Sequence, residues 1–91
     1  MIVARRYVIK GRVQGVGFRM FAVDRAAVEG VHGHVRNLPD GSVEAVVEGD
    51  DESVERVERA LRRGPAGARV DSFSVEPMAP MGRTSGFDVH H

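Results

Sequence analysis

The chain of 91 residues has no cysteine, and Lys10 is the single lysine among thirteen basic residues. Without cysteine, disulfides, thiolate metal sites and cysteine nucleophiles are excluded, so a domain of this size must be held by core packing alone. Net charge is also lacking: thirteen acidic side chains balance the thirteen basic ones. Nothing in that balance asks for nucleic acid, an anionic membrane or a polyanionic partner. Aromatics make up 5% of the chain, and Ser42 to Gly49, a candidate strand, offers none for base stacking, which counts against RNA binding. No apolar run approaches the ~18 residues of a membrane span. The start, Met1-Ile2-Val3-Ala4-Arg5-Arg6, lacks the charge-then-apolar pattern of a signal peptide. Repeats, linkers and low-complexity segments are absent. The expectation is one soluble, cytoplasmic, monomeric domain over residues 1–91, burying somewhat over ~60% of the surface its unfolded form exposes.

What the chain does contain is a legible alternation of elements. Tyr7 and Ile9 alternate with Arg6, Val8 and Lys10, which predicts a strand from Ala4 to Lys10 with Gly11 opening a loop. Phe18, Phe21, Ala22 and Ala26 fall at helical spacing before Gly30, a natural helix stop. His32 to Leu38 and Ser42 to Gly49 read as a hairpin joined by Pro39-Asp40-Gly41, a turn chemistry that presets φ, bonds nearby backbone and accepts positive φ. Asp50 or Asp51 caps a second helix with Val54, Val57 and Leu61 on one stripe and Gly64-Pro65 at its end. Its Glu52/Arg56, Glu55/Arg59 and Glu58/Arg62 pairs have the favourable i, i+4 order, about 0.2–0.5 kcal/mol each. Arg69 to Glu76 reads as a weaker strand, because Val70 is out of phase with Phe73 and Val75. Pro77 to Thr84 reads as an exposed connection, and Ser85 to His90 as a short last strand. Strand, helix, strand, strand, helix, strand, with the extra C-terminal strand, predicts a ferredoxin-like α+β sandwich (βαββαβ) with two helices on one face of a mainly antiparallel sheet.

The chemistry concentrates in Gly11-Arg12-Val13-Gln14-Gly15-Val16-Gly17-Phe18-Arg19, at a strand-to-helix junction. On one reading the glycines serve only the turn. On the other they let backbone N–H groups converge on an anion beside the free donors of the helix start. Arg19 favours the second, because a cation in the first turn opposes the helix dipole by about a few tenths of a kcal/mol unless an anion lies between. The span from Val13 to Arg19 has the length of a phosphate-wrapping loop of the cysteine phosphatases, with Val13 in the nucleophile's place. Such a loop would bind a phosphoryl group without attacking it. No Gly-Lys-Ser/Thr follows, so ATP and NAD are poor candidates. Asn37 either begins the hairpin turn or presents an amide that donates and accepts, suited to orienting a water. His32, His34, His90 and His91 lack carboxylate companions at ligand spacing, so no metal or cofactor is expected. Asp24, Glu44, Glu48 and the carboxylates from Asp50 to Glu58 read as solvated faces and caps.

The same residues resemble the acylphosphatase family. The resemblance is carried by Gly11 to Arg19, then Gly33-His34-Val35-Arg36-Asn37, Asp40-Gly41-Ser42-Val43, Glu48-Gly49 and Phe87, and spans essentially the whole chain. It implies a small α/β-sandwich hydrolase that cleaves the carboxyl–phosphate bond of acyl phosphates without metal or cofactor. Arg19 and the loop amides of Gln14, Gly15, Val16, Gly17, Phe18 and Arg19 are then expected to bind the phosphoryl oxygens. Asn37 is expected to position the attacking water, and inorganic phosphate to be product and inhibitor. His34 stands where the family commonly has Trp, and Glu29 where it usually has an apolar residue. The rival reading is a non-enzymatic phospho-ligand-binding or regulatory module on the same fold.

Overall fold

The computed structural model describes residues 1–82 and 85–91. Five strands and two helices follow in the order β1 (Ile2–Arg12), α1 (Phe18–Glu29), β2 (His32–Asn37), β3 (Val43–Asp50), α2 (Asp51–Arg63), β4 (Arg69–Met78) and β5 (Phe87–His90). The sheet order is β4-β1-β3-β2-β5. All pairings are antiparallel except that of β5, which adds to the edge alongside β2 in parallel. The expected ferredoxin-like sandwich is therefore present, with β5 as its additional strand.

Period-two alternation on β1 and β3 puts Tyr7, Ile9, Val43, Ala45 and Val47 on one face, where they are fully buried. The helices cover that face with Phe18, Ala22 and Ala26 from α1 and Val54, Val57, Ala60 and Leu61 from α2. The spacing that identified each helix is thus the spacing of its buried stripe.

Several expectations change in the structure. β1 does not end at Lys10 but runs through Gly11 to Arg12, because β4 continues to pair with it across a register shift: Lys10 opposes Ser72 and Gly11 opposes Val70. The extra residue, Asp71, absorbs a phase change, so Val70 packs on the core together with Phe73. The out-of-phase valine is thus the signature of a bulge. Gly11 has φ 133°, and a Cβ there would lie 2.1 Å from the carbonyl oxygen of Arg69, so the bulge admits no side chain at this position.

β4 also extends past Glu76 to Met78, and β5 starts at Phe87 instead of Ser85. Arg83 and Thr84, expected in the connection, lie outside the described residues. Asp50 occupies the N-cap of α2, yet neither it nor Asp51 caps the helix in the expected way. Asp50 makes no capping bond and faces the N-terminal ammonium at 3.5 Å, while Asp51 accepts from the adjacent Glu52 N–H at 2.9 Å. Glu55/Arg59 and Glu58/Arg62 pair at 3.5 and 3.6 Å. Arg56 turns away from Glu52 and binds Glu29 of α1 at 2.7 Å, which gives the charged residue at position 29 its partner.

Glu44 and Glu48 are the clearest corrections: they are 5% and 4% exposed, not solvated. Both sit on the open face of the central strand, β3. Glu44 accepts from Arg6 Nε and Arg36 Nε, each at 2.6 Å. Burial alone would raise its pKa, but these two guanidinium partners outweigh that and hold it below the ordinary glutamate value. Glu48 accepts the backbone N–H groups of Met81 and Gly82 at 2.7 and 3.0 Å, so the segment after β4 folds back across the sheet.

Candidate active site

The loop between β1 and α1 alternates backbone handedness. Gly15 has φ 75° and Gly17 φ 78°, whereas no non-glycine residue has positive φ among those described. Alternation of this kind turns successive N–H groups into an anion-binding concavity. Gly17 is the N-cap of α1 in the left-handed conformation, with no side-chain capping bond and no acidic residue in the first turn. The first intrahelical bond runs from Phe21 N–H to the Gly17 carbonyl at 3.0 Å, so the N–H groups of Phe18, Arg19 and Met20 have no acceptor within the helix.

These donors border a depression of about 130 Å³ whose wall is Gly15, Gly17, Arg19, Met20 and Asn37. Val13 and Phe18 complete its lining and are 1% and 2% exposed, so the floor is apolar and fixed. Arg19 and Asn37, the two residues singled out from the sequence, therefore meet at one site although they lie on different elements. Arg19 is half-buried and lies 3.5 Å from Nδ1 of His91, just beyond β5. Asn37 is the last residue of β2 and is also half-buried.

Gln14 does more than its backbone role required. Its side-chain Nε2 donates to the carbonyls of Leu38 and Ser42 at 2.9 and 3.0 Å. This clamps the loop to the residue directly after Asn37. The turn it grips is itself tight: Leu38 N–H bonds the Ser42 carbonyl at 2.8 Å, and Ser42 N–H bonds Asp40 Oδ1 at 2.9 Å. The hydroxyl and N–H of Ser42 hold the Asp40 carboxyl below its usual range. The sequence signal for this clamp was an amide side chain immediately before the first loop glycine, but its acceptors are backbone carbonyls, which carry no residue signature. Met20 was not singled out either.

His34 lies away from this depression on the open sheet face. Its ring stacks on that of His90 with centroids 4.3 Å apart. Among the described residues no group of three or more His, Cys, Asp or Glu could hold a metal ion, and no helix is long and apolar enough to cross a membrane.

Comparison with known proteins agrees with this fold. The fold defines the class, a ferredoxin-like α+β sandwich: the crystal structure of acylphosphatase from Bacillus subtilis superposes with a TM-score of 0.93 at 31% identity, covering 100% of both chains. The family model described as Acylphosphatase matches residues 5–89. An acylphosphatase of Anaeromyxobacter dehalogenans is 48% identical over 87 residues, covering 96% of this chain and 94% of the relative. One of Thermococcus kodakarensis is 53% identical over 81 residues, covering 89% and 88%. The chain belongs to the acylphosphatase family and is an enzyme of that class.

Proposed function

We propose that the chain hydrolyses acyl phosphates by direct in-line attack of water, with Arg19 and the amides of residues 14–19 holding the phosphoryl group and Asn37 orienting the water. One observation carries the assignment: Arg19, Asn37 and the two left-handed glycines line the same small depression, while Gln14 fixes one side of it to the other.

So few groups suffice because of the substrate. Water oxygen forms a new bond to phosphorus as the bond from phosphorus to the carboxyl oxygen breaks. The electron pair of that bond leaves on a carboxylate, and the protons of the water end on inorganic phosphate and solvent. The conjugate acid of the leaving group has a pKa of about 4, so no general acid is required. Charge gathers on the equatorial phosphoryl oxygens, where a fixed guanidinium and preorganised amides stabilise it, and Asn37 contributes orientation. Arg19 supplies the local positive charge, so the reaction proceeds without metal or cofactor. Inorganic phosphate, which fits the same donors, acts as product and inhibitor. Residues 1–91 act as one cytoplasmic, monomeric domain with a small-molecule substrate, and the zero net charge fits the lack of a nucleic-acid or membrane partner. The non-enzymatic binding-module reading is not favoured, since relatives named acylphosphatase match nearly the full chain.

The test is hydrolysis of benzoyl phosphate in the presence of a chelator by the unaltered protein and by Arg19→Ala. Arg19→Ala should lose at least ~100-fold in kcat/KM together with its affinity for inorganic phosphate. Equal turnover by the two proteins would remove Arg19 from the mechanism.

A further inference from the structure

We infer that Met20 is the rim on which the acyl group of the substrate rests, so that the enzyme selects apolar and aromatic acyl phosphates over acetyl phosphate. The inference rests on the phosphoryl-binding role of Arg19 and its loop and extends it to the other end of the substrate.

The depression is small. Its floor is closed by the buried Val13 and Phe18, so an acyl group carried by a phosphoryl held there projects outward across the rim. The rim is mostly polar or featureless there: the glycines present no side chain, Arg19 and Asn37 serve the phosphoryl group and the water, and Val13 and Phe18 are buried below. Met20 differs from all of these. It is 58% exposed, and among the large exposed apolar side chains of the described residues it alone lines the depression. Its place in the first turn of α1, next to Arg19, keeps it within reach of any group projecting from a phosphoryl held by the helix-start amides. A thioether on an unbranched stem adapts to different shapes and makes favourable contacts with aromatic rings. The contact would be present in the ground state and the transition state alike, so it should appear in KM more than in kcat.

Steady-state kinetics with benzoyl phosphate and acetyl phosphate separate the possibilities. Met20→Ala should raise KM for benzoyl phosphate about threefold to tenfold relative to that for acetyl phosphate. Met20→Leu should keep most of the preference. Val28→Ala, a control on the same helix at 69% exposure and outside the depression, should leave the ratio unmoved. Inorganic phosphate, which has no acyl group, reports on the cradle itself. A weakened phosphate inhibition constant in Met20→Ala that matches the KM change would mean a distorted loop and would overturn the inference. So would an unchanged KM ratio. If the unaltered protein hydrolyses neither substrate, the phosphoryl-transfer reading itself falls and this inference with it. A KM ratio that stays flat while turnover persists removes only the role of Met20.

Discussion

The two helices cover the same face of one sheet, but their first turns obey opposite electrostatic rules. α2 opens with Asp51 and Glu52 and closes with Arg62 and Arg63, each charge placed to complement the helix dipole. α1 has no acidic residue in its first turn and no basic residue in its last. It begins at a left-handed glycine without a side-chain cap and carries Arg19 where a carboxylate would stabilise it. A helix whose only task is to cover a core gains nothing by this. A helix whose start holds an anion leaves those donors free and lets the ligand provide the missing negative charge.

The contrast can be broken by substitution, and the largest expected effect falls on the helix without a site. Leu61→Ala in α2 removes a fully buried side chain and should lower unfolding free energy by about 2–5 kcal/mol. Urea denaturation measures the loss, and kcat per folded molecule should hold. A specific collapse of kcat in that variant would mean that the cover helix also shapes the site. Asn37→Ala should show the reverse pattern. Turnover should fall at least ~100-fold, equivalent to about 2.7 kcal/mol, while phosphate affinity and the urea midpoint are largely kept. Near-normal turnover would show that the water is oriented by something else.

Two smaller effects concern pH. The rate should be nearly flat between about pH 5 and 8, since neither arginine nor asparagine titrates there. A histidine-like step would bring His91, which contacts Arg19, or His34 into the mechanism. Stability should respond lower in the range. The Glu44 pKa is depressed below 4.5 in the folded state by Arg36 and Arg6 despite its burial. Its contribution is therefore fully present above about pH 4.5 and is lost as pH falls through the lower, folded value. Glu44→Gln should cost on the order of 1 kcal/mol at neutral pH and flatten this acid limb in pH-dependent denaturation. An unaltered acid limb would assign it to other carboxylates.

The identity of the elements was legible in the sequence because alternation and helical spacing are local and the core is built from them. The Val70 phase error was also legible, but its meaning was not: a bulge is a relation between two strands, here β1 and β4, and only their pairing shows that Asp71 is the extra residue. Glu44 and Glu48 were misread for a similar reason. Alternation states which face a side chain points to, not what closes over that face, and here the covers are arginines from β1 and β2 and a backbone segment some thirty residues away.

For the proposed site, the sequence by itself supplied the residue types of each half. Gly15, Gly17 and Arg19 beside a helix start suit an anion, and Asn37 carries an amide that can both donate and accept. Each property belongs to a residue type at a short spacing, so no tertiary information was needed. That the halves face one depression was decided only by the fold. The hydrogen bonds of Gln14 to Leu38 and Ser42 join segments more than twenty residues apart through acceptors that every residue possesses, and only tertiary structure selects which carbonyls those are.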